Sequence, residues 1–341
     1  MLRSLLDLIW IVIRRHKLLT VCVIAGVWWW WPAAKPAAPA RLQAAVLADG
    51  FAAIDRSNHV VEIDPDGARR HEFTVRGVAN PWIVGFASRL GVVWRDGKQV
   101  AAANVDRDGN VGKPARFGKS VQMMCSGMAS NAHRFAVGWT EPDGAVWFVF
   151  GPTSSSRGLG DLEAHSVYED AAFAGELARP TFCAVASAER RVALLWNDGS
   201  KTQMALCDKK CPSIPARVGL AKGRELVGFG CVRDGCVIAT RNGGATEATW
   251  VGVNGKPQWT KPLRDASPDT RVDLAGTGTQ VAIAYATAAE PVIVAASRSG
   301  ELTPIWQDAA DDVPSIQWAD GRLVIVRHVA GELVSSVARV P

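Results

Sequence analysis

One apolar segment ending in a polar turn recurs along the chain, and this recurrence limits the possible folds more than any other feature. "GVVWRDG" (Gly91–Gly97), "AVGWTEPDG" (Ala136–Gly144) and "ALLWNDG" (Ala193–Gly199) share one form. Weaker copies lie at Phe51–Ser57, Val237–Gly244, Ala282–Ala288 and Val324–Gly331. Taking Trp94 as reference, the equivalent positions are Ile54, Trp94, Trp139, Trp196, Thr240, Tyr285 and Arg327. They stand 40, 45, 57, 44, 45 and 42 residues apart.

A period of about 40–45 residues built from short strands marks four-stranded propeller blades, each of which buries its faces only by stacking on neighbours. Seven such units account for nearly all of the chain beyond residue 41, where no helical period of comparable length occurs. The expected fold is therefore all-β: a seven-bladed β-propeller of four-stranded antiparallel blades over residues 42–341. Blade two reads as "PWIVGFA", "RLGVVW", "KQVAAANVD" and "VGKPARF". Asp96-Gly97 follows its second strand and Asp108-Gly109 its third, and the later turn recurs as Asp66-Gly67, Asn254-Gly255 and Ser299-Gly300. Such dipeptides suit two-residue hairpins in which both central residues take positive φ. The step of 57 residues marks an insertion at Gly151–Ala178 in blade three, read as a loop with an outer strand and a short helix. Inserted loops on rigid scaffolds often carry function, and a tolerated surface insertion is the plain alternative. Blade seven holds three strand candidates, so the ring closes either on a short blade or through an outer strand from Pro36–Arg41.

Ahead of the repeat, Leu5–Ile13 is apolar, Arg14–Lys17 is basic, and Leu18–Ala34 is apolar again. The second apolar stretch has the minimum length for spanning a bilayer at about 1.5 Å per residue. Positive charge on its N-terminal side places the N-terminus in the cytoplasm and the remainder outside. Trp28, Trp29, Trp30 and Trp31 belong at the membrane interface, where an apolar ring with one polar N–H is favoured. This gives residues 1–17 as a cytoplasmic or interfacial N-terminus, 18–34 as a transmembrane signal-anchor, and 35–41 as a Pro/Ala spacer. The expected location is the bacterial inner membrane, single-pass, with the propeller in the periplasm. A cleaved signal peptide using Ala38–Ala40 is the alternative. Cys22 follows the charges too closely for a lipoprotein signal and reads as an ordinary apolar residue of the span.

The formal charge of +5 is concentrated at this end. The first forty residues hold five bases and one acid, whereas the rest holds 33 bases and 32 acids. The folded part lacks the basic footprint of a nucleic-acid binder. Six cysteines remain outside the anchor, an even number in an oxidising space. Cys207 with Cys211, and Cys231 with Cys236, flank hairpin turns and are expected disulfides. Cys125 and Cys183, in the innermost strands of blades three and four, form a third candidate pair. Zinc binding is the alternative for the close pairs, but no histidine lies near them.

Motifs with chemistry are few. Gly112–Ser120 has five residues where a phosphate loop has four, and a strand follows it rather than a helix. Asn104, Asp106 and Asp108 stand at alternate positions like the opening of a calcium loop, yet Ala115 occupies the closing position. A hairpin turn explains the same residues. Asp308–Asp312 reads as a solvated connection. The six histidines form no close pair, and no Gly-x-Ser-x-Gly elbow occurs. Trp94, Trp139 and Trp196 suit blade-packing core better than a stacking platform. No catalytic residue and no cofactor is assigned.

"VGVNGKPQW" (Val251–Trp259) resembles the blade motif of quinoprotein-like propellers, in which a turn Gly-Lys precedes a Trp, and "SRSGELTPIW" (Ser297–Trp306) is a second copy. The Gly-His and Trp-Asp signatures of WD40 repeats and the sialidase box are absent. The resemblance covers two blades and implies either a quinone enzyme or a cofactor-free outer-membrane assembly scaffold. The function expected is a membrane-anchored extracytoplasmic binding or scaffold protein. Its partners would be lipid at the anchor and another envelope protein or extracytoplasmic ligand, with no nucleic acid. A propeller hydrolase, lyase or quinoprotein using the central channel is the alternative, as is an envelope assembly factor.

Overall fold

The computed structural model describes residues 42–340 apart from positions 48, 56, 87–88, 128, 132–133, 144, 153–174, 177–180, 189–190, 198–200, 208–214 and 320. These residues form seven antiparallel sheets in chain order. Blade one is β1 (Gln43–Leu47), β2 (Gly50–Ile54), β3 (His59–Ile63) and β4 (Arg69–Thr74). Blade two is β5 (Trp82–Phe86), β6 (Arg89–Asp96), β7 (Gln99–Val105) and β8 (Ala115–Phe117). Blade three has its innermost strand in two pieces, β9 (Met123–Met124) and β10 (Ala129–Asn131), followed by β11 (Arg134–Thr140), β12 (Ala145–Pro152) and β13 (Gly175–Glu176). Blade four is β14 (Phe182–Ala188), β15 (Arg191–Asn197), β16 (Thr202–Cys207) and β17 (Ala216–Val218). Blade five is β18 (Glu225–Val232), β19 (Gly235–Asn242), β20 (Ala245–Gly252) and β21 (Pro257–Pro262). Blade six is β22 (Val272–Gly276), β23 (Val281–Ala286), β24 (Pro291–Ala296) and β25 (Leu302–Gln307). Blade seven is β26 (Ser315–Ala319), β27 (Arg322–Val329) and β28 (Glu332–Ala338). The innermost strands adjoin one another in order, and β26 returns to β1, which closes the ring. The expected seven-bladed propeller is thus the fold, with blade seven three-stranded among the described residues.

The continuous apolar runs of the middle strands follow from this geometry. A blade has a neighbour on each side, so its middle strands are covered on both faces and need no polar alternation. β19 is buried from Gly235 to Thr240, whereas β21, at the outer rim, is mostly exposed. Seven apolar clusters fill the interfaces between successive blades. Trp139, Trp196 and Trp250 are among the largest fully buried side chains, and Trp94 is 8% exposed. Each fully buried large aliphatic residue, such as Ile54, Ile238 or Leu195, contributes about 2 kcal/mol.

The turns after the third strands differ from the two-residue hairpins expected, whereas β6 and β7 are joined by two residues, Gly97 and Lys98. In the turn after β3, the Gly67 amide bonds to the Asp64 carbonyl at 2.8 Å and the Asp64 amide to the Ala68 carbonyl at 2.8 Å. Gly67 has φ of 90°, while Asp66 is not among the residues of positive φ. This is a three-residue loop, a turn followed by one left-handed glycine that forms a bulge, in which only the second residue of the dipeptide needs positive φ. The register shift between Glu62 and Ile63 records the bulge. The same turns clasp the preceding blade. A Cβ on Gly109 would lie 2.1 Å from the Thr74 carbonyl oxygen, and one on Gly255 would lie 2.4 Å from that of Arg217.

Two disulfides join described residues, Cys125–Cys183 and Cys231–Cys236. Cys231 and Cys236 are directly opposed in the β18–β19 register. Cys125 lies between β9 and β10, where the chain leaves its own blade. The Ser126 amide there bonds to the Cys183 carbonyl at 2.8 Å, and the Val185 amide bonds to the Ser126 carbonyl at 2.9 Å. Blade three is therefore stitched to the inner edge of blade four by a parallel bridge as well as a covalent bond. Cys207 is also disulfide-bonded, and Cys211 lies outside the described residues. Leu18–Ala34, Trp28–Trp31, Pro36–Arg41 and most of the blade-three insertion lie outside them too. Among the described residues no helix is long and apolar enough to cross a membrane.

Arginines fasten the blades further. Arg241 donates to the Thr270 carbonyl at 2.6 Å, Arg271 to the Leu42 carbonyl at 3.0 Å, and Arg95 to the Val121 carbonyl at 3.0 Å. Arg327 lies over the Trp306 ring and donates to Asp308 at 2.6 Å.

Two stability outcomes follow from these fastenings. Replacing Cys125 and Cys183 by alanine opens a loop of 58 residues and should cost about 4 kcal/mol by loop entropy; the Cys231 and Cys236 pair, five residues apart, should cost about 2 kcal/mol. Denaturant unfolding of the two double variants measures the difference. Asp308 is held below the usual carboxylate range of about 3.8, first by the Ala309 amide and then by Arg327. Its folded pKa lies below the unfolded one, so its contribution is present above that range and is lost as pH falls through the folded value. The Tm deficit of Asp308→Asn should therefore be evident at neutral pH and should close as the medium becomes more acidic than about pH 4.

Candidate functional site

Hairpins joining first to second strands, and connections joining third to fourth strands, emerge at one end of the propeller. In blade three β12 ends and β13 begins at this end, and residues 153–174 between them lie outside the described residues. A cleft of about 790 Å³ opens there between blades one and two. Asp49 reaches it from the β1–β2 turn, Arg70 and His71 from β4, and Asp106, Arg107 and Asn110 from the β7–β8 connection. Arg70 bridges Asp49, at 2.9 Å, and Asp64. His71 donates from Nε2 to the Arg107 carbonyl at 2.8 Å, which ties the two blades across the cleft. The lining is polar and charge-balanced, as suits contact with a polar surface or peptide. It brings no nucleophile next to a base.

The three residues of the calcium-like run are placed by the same connection. Asp106 Oδ1 accepts from the amides of Asp108, at 3.0 Å, and Asn110, at 2.8 Å, while Oδ2 accepts from Asn110 Nδ2 at 3.0 Å. These bonds, led by the Asn110 side chain, hold the Asp106 carboxyl below its ordinary pKa. Both oxygens are turned onto the loop itself, Asp108 is exposed, and the Asn104 carbonyl accepts from Gly112 at 2.9 Å. The hairpin-turn reading of these residues matches their bonding. Among the described residues, no group of three or more His, Cys, Asp or Glu side chains is gathered to hold a metal.

The other route to a site is the central channel. Innermost strands that are not neighbours approach closely: β1 with β10, and β14 with β22, come within 8 Å between Cα atoms. The Ser126 bridge covers part of the inner edge of β14. The innermost strands β1, β5, β9, β10, β14, β18, β22 and β26 carry two ionisable side chains, Glu225 and Asp273. Glu225 pairs with Arg241 at 3.6 Å. Asp273 accepts from Ser315 Oγ at 3.1 Å and from the Ile316 amide at 3.0 Å, fixing blade six to blade seven. Both are structural. Tyr285, whose pKa burial raises, likewise donates its hydroxyl to the Arg264 carbonyl at 3.3 Å.

Trp94, Trp139 and Trp196 are core residues and present no platform. Trp196 donates from Nε1 to Gln203 Oε1 at 2.9 Å, which satisfies its polar atom inside the blade. Sequence reasoning missed the arginine fasteners. Their signal was present, since Arg95 and Arg241 each follow a repeat reference position, Trp94 and Thr240.

No protein-family model and no curated protein sequence matches this chain. Solved structures do. A hydrazine synthase chain from Kuenenia stuttgartiensis aligns with a TM-score of 0.56 at 10% identity, covering 91% of this chain and 98% of that one. The WD40 domain of Toxoplasma gondii coronin aligns with a TM-score of 0.54 at 11% identity, covering 88% and 81%. BamB from Moraxella catarrhalis aligns with a TM-score of 0.46 at 13% identity, covering 86% and 82%. At these identities the likeness concerns the fold, and the chain is similar to β-propellers of several unrelated functions.

Proposed function

We propose that this protein is a binding scaffold: a propeller held at the periplasmic face of a bacterial inner membrane by residues 18–34, presenting one end to another envelope protein. The observation that carries the binding reading is the scarcity of ionisable side chains on the innermost strands. Channel chemistry needs charged groups from several blades converging on one pocket. Here Glu225 pairs with Arg241 within blade five, and Asp273 is engaged in fixing blade six to blade seven. The polar cleft between blades one and two offers the opposite kind of surface, charged, loop-built and peripheral. Such loops on a rigid frame are where recognition residues accumulate.

The location rests on separate support. The basic cluster Arg14–Lys17 precedes the apolar stretch, the Trp tract follows it, and the folded part is nearly neutral. Disulfides in blades three to five suit an oxidising compartment. Crosslinking in intact envelopes, with partners identified by mass spectrometry, tests the reading directly. A specific protein adduct is expected with the full chain, and deletion of residues 153–160 should weaken it by at least about tenfold, equivalent to about 1.4 kcal/mol. Undiminished capture by the deletion variant would remove the insertion from the interface. Absence of any protein adduct would defeat the scaffold reading.

A further inference from the structure

Strand alternation turns one carboxylate of blade one toward blade two. In β3, Val61 and Ile63 pack into the cluster shared with blade seven, and Val60 packs into the cluster shared with blade two. Glu62 alternates with Val61 and Ile63 and so shares the face of Val60. There it lines the cleft of about 790 Å³ together with Leu47, Leu90 and Val105. Those three belong to the same buried cluster as Val60, so the cleft is apolar beside Glu62 and polar at its rim.

The cations nearest to Glu62 are committed elsewhere. His71 stands opposite it in the β3–β4 register, and its Nε2 donates to the Arg107 carbonyl at 2.8 Å. The Arg70 guanidinium is taken by Asp49, at 2.9 Å, and by Asp64. Asp106, another carboxylate of the lining, spends both oxygens on its own loop. Glu62 does not: among the described residues no hydrogen bond or ion pair reaches its side chain, which is partly buried. A carboxylate that has given up part of its water beside apolar walls attracts a cation more strongly than one on an open surface.

We propose that Glu62 makes this cleft a binding site for a basic side chain: an aliphatic stem lying along Leu47, Leu90 and Val105, ending in an ammonium or guanidinium group paired with the carboxylate. The apolar wall selects a stem, which a hydrated metal ion lacks. The volume falls among clefts of about 300–1,000 Å³ that hold drug-sized ligands, so the stem belongs to a molecule larger than a simple amine. The blade-three insertion is mismatched in charge, since residues 153–174 hold four acids and one arginine. β1, with which the described chain begins, starts at the opposite end of the propeller. The inference rests on the scaffold reading and names what the partner inserts at the cleft. The same chemistry is carried by a lysine of a polypeptide and by a free diamine, and the test separates the two.

The full chain is titrated with capped alanine pentapeptides bearing lysine, norleucine or glutamate at the centre, and with 1,5-diaminopentane, followed by saturation-transfer NMR on the ligand. The lysine peptide should bind with a Kd of about 1 mM or below, and the norleucine and glutamate peptides at least about tenfold more weakly. Glu62→Gln in the protein, with an unaltered Tm, should reduce lysine-peptide binding to the norleucine level. Lysine-peptide binding about tenfold tighter than that of the diamine assigns the site to a polypeptide, and equal binding assigns it to a small amine. Four results would overturn the proposal: no binding of either amine at about 10 mM, equal binding of the norleucine peptide, undiminished binding to Glu62→Gln, or a zero-length crosslink joining Glu62 to a lysine of the same chain without added ligand. These readouts are confined to the cleft and depend on neither the anchor nor the blade-three insertion. Their failure would leave the envelope crosslinking test of the scaffold reading standing.

Discussion

Two-sided burial of each sheet is the constraint on which the rest of this structure depends. A single blade such as β18–β21 would expose the Val237 and Ile238 faces together, and both are fully buried in the ring. Neither face can be covered by the blade itself. Each needs a neighbour, and those neighbours need theirs, so stability is reached only when the circle is complete. This explains why apolar residues run without alternation in β15, β19 and β27, and why polar residues concentrate in turns and outer strands. It also explains why Trp sits at equivalent positions in three successive blades: a wide ring spans the gap between splayed sheets.

The period, the blade number and the hairpin positions were legible because each blade repeats the same burial problem. Strands of blade two were readable almost to the residue, from Trp82 to Val105. What escaped was set by contacts between blades, which no local pattern encodes. The turns at Gly67, Gly109 and Gly255 each close on one left-handed glycine, and at Gly109 and Gly255 the glycine also lets the turn dock against the preceding blade. The innermost strand of blade three breaks at Cys125–Gly127 because its chain pairs with blade four there. The arginine fasteners bond to main-chain carbonyls of the next blade, so the repeat marks Arg95 and Arg241 but not the carbonyls they reach. The cleft between blades one and two was equally hidden, since Arg70 and Asp106 stand far apart in the chain and meet only once the ring forms.

The same constraint shapes where function can reside. Inner strands are held by their neighbours on both sides, so a charge placed between blades is taken up by structure, as Asp273 is by Ser315 and the Ile316 amide. Catalysis in the channel would need several such charges left unpaired, at a cost that only compensating contacts offset. The turns and connections at the propeller ends are under no such demand. The sequence departs most from its period at Gly151–Ala178, in a connection at the end that also opens the cleft. Variation in length is tolerated where main-chain groups can meet solvent.

Closure of the ring is where the regular solution runs out. Between most blades, an outer strand seals the rim of the shared cluster. Between blades seven and one, side chains take over: Arg69 to the Leu333 carbonyl, Arg322 to that of Pro65, and Ser335 to that of Gly67. Arg271 spans from blade six to Leu42 at the start of blade one. Each such bond contributes about 1 kcal/mol, and somewhat more where a guanidinium donates. Several together stand in for part of what a strand would contribute, but they do not cover apolar surface. The hydrogen-bonding demand of the seam is thus met more fully than its hydrophobic one. Among the described residues, the partial exposure of Val337 at the margin of this cluster is the physical consequence.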